Sequence, residues 1–387
     1  MRILFLCSSL EPGRDGVGDY TRLLAAECAR RGAECSIIAL HDRHMSADAA
    51  ALRDGEDAGI PILRLGSQAD WRDRVQSAAE FLAAFRPDWV SVQFVPYGFH
   101  DKGIVAALPA RLRDIVKGTR RLHFMAHELW IGAAQSASLK ERIIGTMQKH
   151  YIRQLIRVLR PRLVTTTNAV YVSMLARLGV RAIILPLFGN IPIDAAASES
   201  EQKLNAVLGA NGIERANSWL GVFFGTIHPQ WTAEPIFPVL LKVAKANGKR
   251  LCLVAAGRLG ATGESMWNDL STNYGSEISF VKLGELPPSG ISSILVRADF
   301  GVATSPWELI GKSGSAAAMI DHGLPVLAGR DDWHLRGSPR PASPTHALLY
   351  RLDDKSDDKL ASGLPKRTPE SQLTQVAASF LADLNAS

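Results

Sequence analysis

Short runs of β-branched and apolar residues alternate along this chain with segments of helical spacing, and that alternation is what most limits the fold. The first half reads "RILFLC", the helical "GDYTRLLAAECARRG", "ECSIIAL", then "DWVSVQFV", "RLHFMA", "RLVTTT" and "AIILPL". Continuous apolar strands separated by helices are the mark of a parallel sheet covered on both faces. The rhythm stops in "DAAASESEQKLNAVLGANGIERANS", which is small and polar and reads as a linker with a short helix. It resumes in "WLGVFFG", "RLCLVAAG", "ISFVKLG", "DFGVATS" and "LPVLAG", with helices expected near 233–247, 263–274, 288–297 and 313–322. Residues 333–369 are rich in Pro, Ser and Asp and predict long loops with one strand near "HALLYRL", and "ESQLTQVAASFLADLNAS" predicts a closing helix. The expectation is therefore an α/β chain of two doubly wound, Rossmann-like domains. Its boundaries fall at 1–194, a linker at 195–217, a second domain at 218–368 and a terminal helix at 369–387.

A length of 387 residues exceeds what one ordinary core organises, which agrees with two domains. With 47% hydrophobic and 21% charged residues, the composition is that of a globular protein rather than a disordered one. "MRILFLCSSLEPG" is too short an apolar run for a signal peptide, and no stretch suits a bilayer span, so the expected location is cytoplasmic. Cys7, Cys28, Cys35 and Cys252 are scattered through apolar segments and read as core thiols rather than a metal or disulfide framework.

A net charge of +6 and a pI near 9.2 raise nucleic acid, anionic lipid and phosphorylated small molecules as partners. In residues 141–162, Lys149, Arg153, Arg157 and Arg160 recur on one helical face opposite Ile144, Ile152, Leu155 and Leu159. That face is either simply solvated or a peripheral contact with an anionic membrane surface. No aromatic and basic platform accompanies it, which argues against nucleic acid.

Open parallel sheets bind ligands beyond the carboxyl ends of their strands, so the candidate site residues are those that follow each strand. After the first, Gly16 and Gly18 open a helix with Asp19 expected as its cap, and their amides suit an anion or a closely approaching sugar. A dinucleotide fingerprint fits poorly: the loop from Ser8 to Asp15 is long and Thr21 stands where the third glycine belongs. His127, with Glu128 beside it, follows "RLHFMA" and could donate a hydrogen bond to a substrate hydroxyl, stabilise developing charge or serve only packing. "QFVPYGFH", with Tyr97 and His100, would shape an acceptor pocket or pack. In the second half, Gly225 and Thr226 end one strand, and Arg258 after the next is a candidate diphosphate clamp or a surface residue. Gly311, Ser313, Gly314 and Ser315 lead into a helix, and Lys312 among them adds a cation that could neutralise a leaving diphosphate.

Taken together, these residues resemble a GT-B glycosyltransferase of the family-4 kind, the retaining nucleotide-sugar-dependent group. The likeness spans nearly the whole chain. It rests on Gly16-Val17-Gly18 with "LLAAECARRGAECSIIAL", His127 after its strand, "LPLFGNIPI", "FFGTIHP" and "ATSPWE" followed by "HGLPVLA". It implies two domains facing a cleft, the first taking the acceptor and the second the donor, and a C-terminal helix crossing back to the first. It further implies transfer with retention and without metal, and no cofactor beyond the nucleotide-sugar co-substrate, whose base stays open. Lys312, Arg258 and the amides of Gly311 to Ser315 would hold the diphosphate, His127 would contact the sugar, and Glu308 a ribose or sugar hydroxyl. The acceptor would be a glycan, a lipid-linked or a small molecule, as for peripheral enzymes of envelope or exopolysaccharide synthesis on the inner membrane face. The chain also departs from the family. Of the two glutamates seven residues apart, the positions counted back from Gly323 hold Ile310 and Ala318, with Glu308 two residues early. The family's Arg and Lys correspond to Thr226 and the region of Trp231. These departures leave room for a weakly catalytic binding protein, or for a phosphorylase, an epimerase or a hydrolase.

Overall fold

The computed structural model describes residues 1–45, 51–53, 59–194, 198–234, 236–337, 339–352, 360 and 363–387. The chain divides into two compact units. The first comprises Met1–Leu187, His334–Ala342 and Leu373–Ser387, and the second Phe188–Trp333 and Ser343–Gln372.

Unit 1 is built on β1 (Arg2–Cys7), α1 (Gly16–Arg30), β2 (Glu34–Asp42), β3 (Ala51–Arg53), β4 (Ile62–Gly66), α2 (Trp71–Phe85) and β5 (Trp89–Phe94). It continues through α3 (Pro96–Phe99), α4 (Leu108–Ile115), β6 (Leu122–Ala126), α5 (Leu139–Leu159), β7 (Leu163–Thr166), α6 (Ala169–Ala176) and β8 (Ile183–Ile184). The eight strands run in the order β3-β4-β2-β1-β5-β6-β7-β8, all parallel except β3, which is antiparallel to β4. The central strands are buried along almost their whole length, as expected when helices cover both faces. Residues 334–342 return to this unit, where Gln135 N donates to His334 O at 2.8 Å and Arg336 N to Ala133 O at 2.9 Å.

Unit 2 holds α7 (Ser198–Ala210), β9 (Ser218–Phe224), α8 (Ile236–Ala246), β10 (Arg250–Ala256), α9 (Gly260–Tyr274), β11 (Ile278–Gly284) and α10 (Pro288–Arg297). Beyond these come β12 (Phe300–Ala303), a 3-10 turn at Trp307–Lys312, α11 (Gly314–Asp321), β13 (Val326–Ala328) and β14 (Leu349–Arg351). Its six parallel strands are ordered β11-β10-β9-β12-β13-β14. The segment expected as a linker is more structured than its polar composition suggests: Leu204 and Leu208 of α7, with Ile213, join the core of this unit.

The last helix, α12 (Leu373–Ala386), belongs to unit 1. It buries Val376, Ala377, Phe380 and Leu384, a helical stripe, and Phe380 sits 5.9 Å from Phe5 and 5.1 Å from His123 between ring centroids. All four cysteines are buried and unbridged.

Candidate active site

In unit 1 the loop after β1 is fastened by one carboxylate. Asp42 accepts from Ser9 Oγ (3.1 Å), Leu10 N (3.1 Å) and Arg64 Nε (2.7 Å). Burial alone would raise its pKa, but Arg64 and the His44 and Leu10 amides outweigh burial and hold it below the usual range. The cap of α1 is Asp15, not Asp19: its Oδ1 accepts from Val17 N (2.9 Å) and Gly18 N (2.8 Å), while Asp19 turns back to Gly13 N. The protein's own carboxylate therefore occupies amides that the sequence assigns to a ligand. Gly18 is required by close packing, since a Cβ there would lie 2.5 Å from Ser9 O.

His127 follows β6 directly and is 6% exposed. Its environment is set by a buried chain of hydrogen bonds across β5, β6 and β7 whose direction follows from its far end. Thr165 Oγ1 donates to Met125 Sδ (2.9 Å), so it accepts from His123 Nε2 (2.8 Å). The bare Nδ1 of His123 then accepts from Ser91 Oγ (2.8 Å), and Ser91 accepts from Gln93 Nε2 (2.7 Å). Gln93 is left with its carbonyl, Oε1, which accepts from Nε2 of His127 at 2.8 Å. Ser91, Gln93, His123 and Thr165 are wholly buried. Burial pushes both histidines down to about 3, so both rings are neutral near pH 7. His127 thus has its N–H committed to Gln93 and a lone pair on Nδ1, with the edge of Tyr20 against its ring at 4.8 Å. The donor role anticipated from the sequence would need the nitrogen that Gln93 holds. The ring can instead accept a hydrogen from a hydroxyl.

The acceptor-side residues divide. Tyr97 OH accepts from Gln148 Nε2 at 3.1 Å, and Gln148 also ties Lys102 O and Ile131 N. His100 is exposed, and its Nδ1 accepts from Lys102 N and Ile104 N, so its work is to cap its own loop. Glu128 is half-buried beside His127.

In unit 2 the ends of β9, β10, β12 and β13 converge. Gly225 has φ 80°, a left-handed conformation that suits glycine, and its nearest side-chain neighbour is Ser315 Oγ, 4.0 Å from where a Cβ would stand. Thr226 O accepts from Thr304 Oγ1 (3.3 Å), which accepts from His228 N (3.2 Å). Burial lowers the His228 pKa, helped by Arg330 and then Lys312, which places both cations in its field. Arg330 is 6% exposed and spans Asp332 (2.7 Å), Gln230 Oε1 (3.1 Å) and Thr304 O (3.4 Å).

The expected anion cradle is smaller than residues 311–315. Gly311 and Lys312 lie in the 3-10 turn, Ser313 N donates to Ile310 O, and Ser313 caps α11 by accepting from Ala316 N. Gly314 and Ser315 supply the first amides of α11. Glu308 is buried within the 3-10 turn. Arg258 stands apart, its side chain 44% exposed and 3.4 Å from the exposed Glu285, a geometry that suits a surface ion pair. Ala318, the position at which the resemblance implies a second glutamate, is wholly buried. Sequence reading passed over Gln93, His228, Thr304 and Arg330. Polar residues inside buried strands, as at Ser91 and Gln93, were the available signal.

Helix α5 begins with a capping box between Ser138 and Glu141 and ends at Arg160 in a left-handed conformation. Lys149 leaves the exposed basic face and lies 5.7 Å from the Trp130 ring, whereas Arg153, Arg157 and Arg160 are exposed. Leu139, Ile143 and Met147 are also exposed, at 74%, 56% and 42%, one turn apart along the same helix. Among the described residues no helix is long and apolar enough to cross a membrane.

The chain matches no family model. A subunit of (2S)-[(R)-hydroxy(phenyl)methyl]succinyl-CoA dehydrogenase from Thauera aromatica is 36% identical over 86 residues, which are 22% of this chain, and the chain spans only 33% of that protein. Solved structures resemble it from end to end. Sucrose-phosphate synthase from Thermosynechococcus elongatus has a TM-score of 0.58 at 14% identity, covering 99% of this chain and 95% of its own. The UDP-forming trehalose-phosphate synthase from Burkholderia xenovorans, solved with glucose-6-phosphate, gives 0.59 at 11% identity with full coverage of both. UDP-GlcNAc 2-epimerase from Methanocaldococcus jannaschii gives 0.53 at 11% identity, also with full coverage. The chain has the GT-B fold, whose members among these neighbours include glycosyltransferases and epimerases.

Proposed function

We propose that this protein is a nucleotide-sugar-dependent glycosyltransferase that transfers a sugar with retention and without a metal ion, of the family-4 kind. The observation that carries the reading lies in unit 2: Gly225, Thr226, Ser315 and Lys312 gather at the carboxyl ends of parallel strands, beside the start of α11. Glycine backbone, a helix start and a lysine form a diphosphate site, and they stabilise negative charge on a departing nucleoside diphosphate. In this reading unit 2 takes the donor, with Glu308 toward a sugar or ribose hydroxyl. Unit 1 takes the acceptor, with Nδ1 of His127 receiving a hydrogen bond from a sugar hydroxyl. Arg330 replaces Arg258 as the second cation, because it is buried beside Thr304 and His228. The α5 surface, with exposed apolar residues followed by arginines, supports peripheral attachment to an anionic membrane and hence a lipid-linked acceptor of envelope polysaccharide synthesis.

Calorimetric titration with UDP, GDP and ADP tests the donor site. Saturable binding of one of them, weakened at least tenfold by Lys312→Ala, is the expected result, and no binding of any would overturn the reading. The resemblance to UDP-GlcNAc 2-epimerase supports a second reading. A nucleotide sugar incubated alone would then isomerise, whereas a transferase leaves the nucleotide sugar unchanged until an acceptor is added.

A further inference from the structure

A second group of charged residues lies at the end of β2 and the start of α2, outside the machinery just described. Trp71 is its centre. The guanidinium of Arg74 lies 3.8 Å from the Trp71 ring centroid and that of Arg111, on α4, lies 4.1 Å from it. The His41 ring stacks on Trp71 at 5.8 Å with planes 7° apart. Arg74 is only 3% exposed; its Nη1 donates to Leu40 O (3.1 Å) and lies 2.8 Å from His41 Nδ1, while its Nε has no partner. Arg43 adjoins them, donating to Tyr97 O and pairing at 2.9 Å with Asp101, whose side chain is 88% exposed.

The negative charge available is small. Among the described residues no carboxylate lies within 4.0 Å of Arg74 or Arg111. Asp70 is the acid that acts on both, and one of its oxygens is committed to Arg72 N at 2.7 Å as the cap of α2. The cations depress one another: burial and Arg111 bring Arg74 down to about 10, and burial with Arg74, Arg43 and Arg111 brings His41 down to about 4. Buried charges in folded proteins are paired, because an unpaired ion loses hydration without return. Stacking on Trp71 recovers part of that loss, but it leaves the net charge in place. The positive end of α2, a helix of 15 residues, faces the same place.

We propose that Arg74, Arg111 and Arg43 around Trp71 bind the phosphate of a phosphomonoester, which on the transferase reading above is part of the acceptor. A dianion matches two guanidiniums without carboxylate partners, and forked donors suit its oxygens. Trp71, which is half-buried, would take the apolar remainder of the molecule, with Phe99 packed behind it, 6.4 Å from His41 between ring centroids.

Fluorescence of the full chain tests this, with Trp71→Phe identifying the Trp71 share of the emission from eight tryptophans. At constant ionic strength, inorganic phosphate and glucose 6-phosphate are expected to give a saturable change that Trp71→Phe removes, with glucose and acetate giving none. Arg111→Gln and Arg43→Gln, both at sites open to solvent, should each weaken glucose 6-phosphate binding at least tenfold. The pKa of His41 by NMR should rise from about 4 when phosphate binds, since a nearby anion favours the protonated ring. Equal responses to phosphate and acetate, a response to free phosphate but not glucose 6-phosphate, or no response would each overturn the proposal. Nucleotide binding without a phosphate response sinks this subsite and leaves the transferase reading standing, and phosphate binding without nucleotide binding does the reverse.

Discussion

Nε2 of His127 lies 2.8 Å from Oε1 of Gln93, and this contact decides which nitrogen of the ring carries hydrogen. The side chain of Gln93 is itself oriented by Ser91 and, through it, by His123 and Thr165. A residue at the candidate site therefore owes its chemistry to groups on both strands that flank its own.

Gln93→Leu should release that control. It leaves the His127 N–H without its acceptor and removes the hydrogen that Ser91 Oγ accepts, while Ser91 keeps its bond to His123, at about 1–3 kcal/mol for the buried donor stranded. Denaturant unfolding should show a loss in that range, and nitrogen chemical shifts of His127 should change from one tautomer to a mixture. A single retained tautomer would show that something other than Gln93 fixes it.

Acid should destabilise unit 1 before carboxylates titrate. Burial holds His123 and His127 at about 3, against roughly 6.5 in an unfolded chain. As pH falls, the unfolded chain gains protons first, so the stability present above about 6.5 is lost as pH drops toward about 3. Each histidine contributes up to about 1.4 kcal/mol per pH unit within that window. Urea midpoints at pH 7 and pH 5 measure it. The expectation is a clear fall that His127→Asn makes shallower, and equal midpoints would contradict it.

Lys312 and Arg330 should separate function from stability. Lys312→Ala should leave the unfolding midpoint nearly unchanged while weakening nucleotide binding. Arg330→Met removes bonds to Asp332, Gln230 and Thr304 and should cost about 2 kcal/mol as well as affinity. If both variants lose affinity only in proportion to lost stability, neither contacts the diphosphate.

On α5, Ile143→Glu should abolish co-sedimentation with vesicles containing phosphatidylglycerol. Arg153→Gln and Arg157→Gln should each weaken it by about fivefold, near 1 kcal/mol per basic residue. Binding that persists in all three, or that ignores salt, would remove the membrane from the reading.

The strands were legible because apolar runs such as "RILFLC" and "RLCLVAAG" have few alternatives once helical segments lie between them. β4 was not anticipated: "ILRLG" is short and carries Arg64 at its centre, and only the fold reveals that Arg64 joins Asp42 to Glu11. The hydrogen-bonded chain behind His127 depends on strand register, with Ser91 opposite His123, and no single segment contains that information. Arg330 lies about a hundred residues from Gln230, so its place near His228 needed the sheet to be assembled. Lys312 was visible because a lysine at the start of a helix is unusual by itself, whereas the true caps, Asp15 and Ser313, became clear only from their bonds.

Asp321 is wholly within unit 2 and nearly buried, and its Oδ2 accepts from Gly189 N at 2.9 Å and from Gln372 N at 3.3 Å. Gly189 is the second residue of that unit and Gln372 its last. The first entry into unit 2 and the last exit from it thus meet at one oxygen atom, with residues 334–342 visiting unit 1 in between. Asp321 is the clasp that holds those two crossings of the chain together.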